Sequence, residues 1–174
     1  TPRKLGVPGD DLQHVAYTLA DPDAFQNKDI LIVGAGDAAI ENALALVDKN
    51  RVSLLNRGND FPLAKDANAA QMLKAIDAGK VRCYYSSSMV KVEAGQSVIS
   101  TPEGELSIKC DHIIARIGAI MPRKFLESAG IKFPSADMSA TPVVNHRYES
   151  NVPGLFILGA LIGYPLIKQA MNQG

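Results

Sequence analysis

Short apolar runs and helix-spaced apolar positions alternate along the first half of the chain. Residues 28–33 form an apolar run that ends at a glycine, as buried parallel strands do. Residues 37–49 carry apolar side chains at the three- and four-residue spacing of one helix face. A strand at 51–56, a polar loop at 57–66 and a helix at 67–78 follow in turn. Strands that alternate with helices predict a parallel sheet.

After residue 80 the apolar runs become short and are separated by turn signals. The predicted strands lie at 81–85, 89–92, 97–100, 106–109 and 112–116. Glycine-containing turns at 94–96 and 102–105 are typical of hairpins, so the runs over about 89–109 predict an antiparallel meander that connects two strands of the parallel sheet. The predicted fold class is α/β: a Rossmann-like parallel sheet with helices on both faces and a small antiparallel β-meander.

The two ends of the chain carry weaker patterns. Residues 1–27 begin with a cluster of proline and glycine and predict an extended linker with turns. Near the other end, the patterns predict at most a short helix at 125–129, a strand at 154–158 and a helix at 165–173.

Composition narrows the function classes. The 174 residues are 47% apolar and 21% charged, which is typical of one globular domain. Lys plus Arg and Asp plus Glu both number 18, so no net charge attracts nucleic acid or an anionic membrane, and the apolar runs are too short to span a bilayer. Cys83 and Cys110 form no CxxC, and the three histidines have no metal-ligand spacing. We therefore expect reduced thiols, a cytoplasmic location, no nucleic-acid or membrane partner and no metal site.

The strongest chemical signal is a GxGxxA motif between the first predicted strand and helix, formed by Gly34, Ala35, Gly36, Asp37, Ala38 and Ala39. Gly34 allows the sharp turn from strand to helix, Gly36 lets a pyrophosphate approach the backbone, and Ala39 lets the helix pack on the strand. The amide groups and the dipole at the helix start then face the anion. The alternative is a tight strand-to-helix turn that binds nothing.

The end of the second strand indicates which dinucleotide binds. Sites for NADH place Asp or Glu there to accept a hydrogen bond from the ribose 2′-hydroxyl, whereas this chain has Asn56 and Arg57. Arg57 can pair with a 2′-phosphate through two N–H groups, and Lys65 is a candidate second cation. We therefore expect NADPH rather than NADH, with a solvated surface charge as the alternative interpretation of Arg57.

With these motifs in place, the chain resembles the thioredoxin-reductase-like branch of the FAD- and NAD(P)H-dependent pyridine nucleotide flavoprotein oxidoreductases. The resemblance extends over nearly the whole length, at residues 2–10, 34–46, 56–57, 152–159 and 168–170. It implies three segments. Residues 1–24 are a linker and a remnant of an FAD-binding domain, 25–141 are the NAD(P)H-binding domain, and 142–174 return to the FAD-binding domain.

The chain departs from that family pattern at several positions. Residues 18–21 stand where thioredoxin reductases of this type carry the CxxC dithiol, which excludes dithiol–disulfide exchange by that route. Ala160 replaces the aspartate that holds the flavin ribityl chain, Gly58 replaces a family arginine, and the loop at 118–122 is one residue longer. A glycine motif for the FAD pyrophosphate does not occur in the chain.

The resemblance implies hydride transfer from NADPH to FAD and then to an unknown acceptor, in an intact protein that includes the missing FAD-binding half. It adds Glu41 and Gly118 to the nucleotide site; the alternative interpretation of Glu41 is a solvated charge on the helix. For the intact protein it implies FAD contacts by Gly159, Lys168, Gln169 and Ala170. No residue is assigned a catalytic acid–base role, because no such constellation occurs.

The 174-residue chain by itself is expected to bind the nucleotide, to contain no FAD and to be inactive. Apolar surface that faces the missing half is then exposed and can pair two copies as a homodimer. The alternative function is a nucleotide-sensing or docking module of a larger regulatory protein with little or no redox chemistry. A second GxGxxG motif upstream would favour the flavoenzyme, and a ligand-binding module there would favour the sensor.

Overall fold

The computed structural model describes residues 2–137, 139–164 and 170–173. They form two compact units that divide between Ala119 and Ile120. The first unit contains helices α1 (Asp37–Leu46) and α2 (Asp66–Asp77) and a 3-10 turn at Pro22–Ala24. Its strands, in chain order, are β1 (Val15–Ala16), β2 (Asp29–Val33), β3 (Arg51–Leu55), β4 (Val81–Tyr84), β5 (Ser88–Glu93), β6 (Gln96–Thr101), β7 (Gly104–Lys109) and β8 (His112–Ala115).

Five of these strands form a parallel sheet in the order β1-β8-β2-β3-β4. At the carboxyl end of β2, Val33 lies opposite Leu55 of β3 on one side and Ala115 of β8 on the other. The chain therefore leaves β2 toward β3 and later returns to the opposite side of β2 as β8. This reversal of strand order next to β2 is the topological switch point, where open parallel sheets bind ligands.

The two faces of the parallel sheet carry different layers, because successive side chains of a strand point to opposite faces. Ile30 and Ile32 of β2 are buried in one cluster with residues of α1 and α2. Leu31 and Val33 are buried in a second cluster with residues of the antiparallel strands, such as Ile99. Helices were expected on both faces. Instead, α1 and α2 share one face, and the meander covers the other, because the connection from β4 to β8 is itself the meander.

The predicted fold class is confirmed, since a parallel sheet with helices stands beside a separate three-stranded antiparallel sheet. Each predicted strand and helix of residues 28–116 is present, with ends that differ by at most three residues. The proline- and glycine-rich start of the chain adds one strand that its sequence pattern does not predict, because β1 pairs with β8 at the sheet edge.

The ends of the two helices are determined by nearby polar and glycine residues. Helix α1 ends at Leu46, three residues before the predicted end, and Asn50 donates its side-chain amide to the Leu46 carbonyl at 3.1 Å. Helix α2 ends before Gly79, whose φ of 68° lies in the left-handed region. The amides of Gly79 and Lys80 then donate to carbonyls of the last helical turn, as in a Schellman motif.

The second unit consists of described residues between Ile120 and Gln173. It contains helix α3 (Arg123–Ser128) and a 3-10 turn at Gly159–Ile162. Leu126, Ile131 and Ile157 form its small buried cluster. The Arg123 guanidinium donates to the carbonyls of Ser135 and Asp137 and so connects α3 to the following segment.

The strand predicted at 154–158 is wrong. Among the described residues, that stretch pairs only through an isolated antiparallel bridge between Glu149 and Phe156. The apolar run there buries Ile157 in the small cluster and forms no ladder, so its sequence pattern reflects burial without strand pairing. Of the helix predicted at 165–173, residues 165–169 lie outside the described residues, while Ala170 and Met171 are helical.

Candidate nucleotide-binding site

A cavity of about 620 Å³ lies at the carboxyl edge of the parallel sheet, within the first unit. The glycine motif, the residues after β3 and the residues after β8 surround it, because parallel strands end at the same edge. The lining residues are Leu5, Val33, Gly34, Ala35, Gly36, Asp37, Ala38, Leu55, Asn56, Arg57, Gly58, Asp60, Pro62, Leu63, Ser88, Met89, Arg116, Ile117 and Gly118.

Gly34 makes the turn from β2 to α1 in a conformation that other residues rarely adopt, with a φ of 131°. A Cβ atom at this position would overlap the carbonyl oxygen of Arg116 and would lie 3.4 Å from the Cβ of Ala39. Ala39 is fully buried and belongs to the cluster beneath the helix. The geometry thus agrees with the roles expected of both residues: Gly34 turns the chain, and Ala39 lets the helix approach.

Gly36 lines the cavity for a different reason. Its φ of −91° suits any residue, and a Cβ there would meet nothing nearer than the Leu63 carbonyl oxygen at 4.0 Å. Helix α1 begins at the next residue with no side-chain cap, so the amide groups of its first turn have no side-chain acceptor. Uncapped amides and the positive end of the helix dipole favour an anion in the space beside Gly36.

The side chains of Asp37 and Lys65 interact with each other rather than with the centre of the cavity. The Asp37 carboxylate accepts hydrogen bonds from the Lys65 backbone amide at 2.9 Å and from Asn68 at 2.8 Å. These donors, the Lys65 amide first, hold the pKa of Asp37 below its ordinary value despite partial burial. Lys65 does not line the cavity, and its ammonium lies 3.8 Å from Asp37.

Glu41 also lies outside the cavity lining. It is exposed on α1, and its carboxylate accepts a hydrogen bond from Asn68 at 3.1 Å. Asn68 therefore connects the first turn of α2 to two acidic side chains of α1. The expected nucleotide contacts of Glu41 and Lys65 stay predictions.

Asn56 holds the loop that carries Arg57, the predicted partner of a 2′-phosphate. Its side chain is 3% exposed, donates to the Asp60 carbonyl at 2.8 Å and accepts from the Gly58 amide at 2.9 Å. Its backbone amide continues the sheet contacts by donating to the Tyr84 carbonyl at 2.9 Å. Asn56 thus acts on the site by holding the loop after β3. Its side-chain and backbone amide groups already make hydrogen bonds within the protein.

Arg57 and Asp60 place opposite charges on the same wall of the cavity. Arg57 is exposed and has no hydrogen bond or ion pair to any described residue. Asp60, three residues further on, is exposed too, and sequence reasoning missed it because the expected acidic position is the strand end itself. A position within a loop of this length has no fixed spacing that could have indicated it.

On the other side of the cavity, Arg116 and Gly118 follow β8. Gly118 has a φ of 89°, and its carbonyl accepts from the Arg3 amide at 3.0 Å. Arg116 was not among the predicted site residues. Its position at the end of a predicted strand was the available signal, since ligands of parallel sheets bind at strand carboxyl ends.

The residues expected to contact FAD lie partly outside the described residues, since Lys168 and Gln169 fall in 165–169. Gly159 has a φ of 68°, and a Cβ there would lie 3.0 Å from the Cβ of Ala170. The Gly159 amide donates to the Gln173 side chain at 2.9 Å. Gly159 and Ala170 are therefore close neighbours within the second unit, and their flavin contacts stay predictions.

Both cysteine thiols lie at least partly buried in the first unit. Burial raises the pKa of the Cys83 thiol to about 11 and also raises that of Cys110, which contacts the Ser97 hydroxyl at 3.1 Å. Both are free thiols. Across the described ranges, His, Cys, Asp and Glu side chains form no cluster of three suited to a metal ion. The helices within the same ranges are too short or too polar to cross a membrane.

A parallel sheet with a glycine turn at its switch point defines a Rossmann-type α/β fold. The family model for pyridine nucleotide-disulphide oxidoreductases matches residues 1–174. The chain therefore belongs to the pyridine nucleotide-disulphide oxidoreductase family.

Its curated relatives are named as reductases. The chain is 29% identical over 164 residues to bacilliredoxin reductase Bdr of Bacillus subtilis, which covers 92% of this chain and 50% of that protein. It is 28% identical over 166 residues to ferredoxin–NADP reductase of Paraburkholderia phymatum, which covers 92% of this chain and 46% of that protein. The chain thus spans about half the length of the curated relatives it matches.

Solved structures share its fold. The bacillithiol disulfide reductase of Staphylococcus aureus matches with a TM-score of 0.90 at 22% identity, over 98% of this chain and 55% of that chain. A thioredoxin reductase of Lactococcus lactis matches with a TM-score of 0.84 at 21% identity, over 99% of this chain and 59% of that chain. The fold is therefore that of thioredoxin-reductase-like oxidoreductases.

Proposed function

We propose that this chain is the nicotinamide-nucleotide-binding part of a flavin-dependent oxidoreductase, and that it binds NADPH. The observation that carries the proposal is the cavity at the switch point, where an uncapped helix start and an unpaired arginine face one space. When both groups are bound, the nicotinamide supplies a hydride and FAD accepts it for transfer to a further acceptor.

The residues of this chain hold and orient the nucleotide in the proposed reaction. Gly36 leaves room for the pyrophosphate beside the amides of α1, since a Cβ there would meet no protein atom closer than 4.0 Å. Gly34 sets the direction of that helix, and the buried Asn56 side chain keeps the loop after β3 in place. The chain contributes positioning and charge, and the chemistry belongs to the cofactors.

Arg57 and Asp60 determine the choice between NADPH and NADH in this proposal. The free guanidinium of Arg57 attracts a 2′-phosphate and can donate two N–H groups to it. The Asp60 carboxylate repels that phosphate and can accept a hydrogen bond from a 2′-hydroxyl instead. NADPH is favoured because Arg57 has no partner among the described residues and so keeps its full charge for the ligand.

Calorimetric titration with NADPH and NADH tests the proposal. Arg57→Ala should weaken NADPH binding by about 10-fold or more, the loss of a charge-assisted contact, and should leave NADH binding nearly unchanged. Asp60→Asn should strengthen NADPH binding. Arg147→Ala removes another exposed arginine that does not line the cavity, so it is the matched control. Tighter binding of NADH than NADPH by the unaltered chain would contradict the assignment.

In this proposal, binding of FAD and of the electron acceptor requires further segments of the oxidoreductase besides this chain. Exposed apolar side chains in the second unit support this, because Phe125 is 69% exposed, Phe156 55% and Met171 74%. Large apolar side chains with this much exposure are candidates for packing against another segment or another copy. The absorbance spectrum of the purified chain tests the flavin assignment. An oxidised-flavin absorbance band in the purified chain would show that these 174 residues hold FAD without a further FAD-binding segment.

A further inference from the structure

Arg116 lies at the switch point itself. It follows β8 directly, and the residue before it, Ala115, pairs with Val33, the last residue of β2. Arg116 and Gly34 are therefore neighbours across the two strands. Their backbones are so close that a Cβ on Gly34 would overlap the Arg116 carbonyl oxygen. Arg116 therefore lies beside the turn that leads into α1, and it is one of the residues that line the cavity.

The guanidinium of Arg116 is incompletely satisfied by the protein. Its Nη1 donates to the Tyr17 carbonyl at 2.9 Å. Its Nε is buried and has no hydrogen-bond acceptor among the described residues. No described carboxylate forms a salt bridge with it. An arginine has five donors and stays charged, so this guanidinium keeps further donors and a positive charge for which the described residues supply no carboxylate.

We propose that Arg116 binds the pyrophosphate of the nucleotide, as a second anchor beside the amides at the start of α1. This inference rests on the proposed nucleotide-binding function and names one more residue of the same site. The chemistry it recognises is a phosphate oxygen, with which a guanidinium forms charge-assisted and bidentate hydrogen bonds.

Arg116 and Arg57 bind different parts of the ligand, because they lie on opposite sides of β2. Arg57 follows β3 and faces the ribose end that carries or lacks the 2′-phosphate. Arg116 follows β8 and adjoins Gly34, the first residue of the turn toward the pyrophosphate. Loss of Arg57 therefore affects only 2′-phosphorylated ligands, whereas loss of Arg116 affects every ligand that has a pyrophosphate.

The hydrogen bond to the Tyr17 carbonyl positions the Arg116 guanidinium before a ligand binds. Tyr17 is itself held, because its hydroxyl accepts from the Leu5 amide and donates to the Asp10 carbonyl, both at 3.2 Å. Leu5 also lines the cavity. A purely structural role for Arg116 in holding this segment would act on stability and would not distinguish ligands with phosphates from ligands without them.

The test compares ADP with adenosine, which share the same base and ribose and differ in the pyrophosphate. Calorimetry on the purified chain measures both ligands for the unaltered protein, Arg116→Met and Arg147→Met. Arg116→Met should weaken ADP binding by about 10-fold to 100-fold and change adenosine binding less than about twofold. Arg147→Met removes an exposed arginine that does not line the cavity, so it should leave ADP binding unchanged and is the matched control.

Two results would overturn the inference. One is unchanged ADP affinity in Arg116→Met, and the other is an equal loss for ADP and adenosine, which would assign Arg116 to shaping the cavity. If circular dichroism shows that Arg116→Met does not fold, Arg116→Gln keeps an amide donor without the charge and must show the same selective loss. Failure of the unaltered chain to bind either ADP or NADPH would instead refute the proposed function itself.

Discussion

Replacing Gly34 by alanine separates the folding role of the glycine motif from its binding role. The added Cβ would overlap the Arg116 carbonyl oxygen, and the φ of 131° is strained for any residue with a side chain. The Arg116 amide donates to the Val33 carbonyl at 2.7 Å, so the carbonyl cannot move without disturbing the pairing of β2 with β8. Backbone strain of this kind costs about 1–3 kcal/mol, and the overlap adds to it.

We therefore expect Gly34→Ala to lower the free energy of unfolding by about 3 kcal/mol, which lowers the melting temperature of a chain of this size by about 6–12 °C. Circular dichroism is the suitable probe, because the chain has no tryptophan. Gly36→Ala is the matched control. Its Cβ meets no protein atom closer than 4.0 Å, so the melting temperature should change little while NADPH binding weakens.

If Gly34→Ala melts at the same temperature as the unaltered protein, the close approach to Arg116 is absent in solution and the assigned role of Gly34 is wrong. The role of Gly36 is wrong if Gly36→Ala binds NADPH as tightly as the unaltered protein. That result would mean that the ligand does not approach the backbone at Gly36.

Two further predictions concern titratable groups outside the cavity. Hydrogen bonds from Arg51 and then Lys109 hold the pKa of Asp29 well below its usual range, so Asp29→Asn should cost about 1 kcal/mol at pH 7. Because the folded pKa is the lower one, this contribution is complete above about pH 5, begins to fade as the pH falls through the ordinary pKa of an aspartate, and is lost only near the much lower folded pKa. Melting curves of both proteins from pH 7 down to about pH 1 should therefore converge only at the acid end, and a constant gap over that range would contradict the assignment. Burial raises the pKa of Cys83 to about 11 from an ordinary 9.0. In the variant Cys110→Ser, which leaves Cys83 as the one thiol, a thiol reagent at pH 8 should label the folded chain about 100-fold more slowly than the urea-unfolded chain. Equal labelling rates would show that the Cys83 thiol is exposed.

Much of the nucleotide site followed from local sequence signals. The apolar run at 28–33, the glycine motif and the helix spacing after it each describe neighbouring residues, so they predict a strand, a turn and a helix without knowledge of the rest of the chain. Gly34 and Ala39 could be assigned their roles in advance, because a strand that turns directly into a helix imposes those sizes. Arg57 could be placed at the cavity for the same reason, since it follows the second strand.

Other site residues could not be predicted, because their place depends on contacts between distant segments. Arg116 reaches the cavity only because β8 pairs with β2, and the sequence pattern of β8 does not specify its neighbour. Asp60 reaches it through a loop whose path depends on the buried Asn56 side chain. The apolar run at 154–158 has the composition of a strand, yet a strand also needs a partner, and Phe156 has a single bridge.

The sequence alone determined the order and type of the elements, because hydrophobic periodicity and turn residues act over a few positions. It also predicted the strand-to-helix turn at the glycine motif, and the family resemblance it supports is confirmed. Only the tertiary structure decided that helices cover one face and the meander the other, and that two arginines stand on opposite sides of β2. The physical reason is that strand pairing and burial depend on contacts between segments far apart in the chain, so the pattern of neighbouring residues does not specify them.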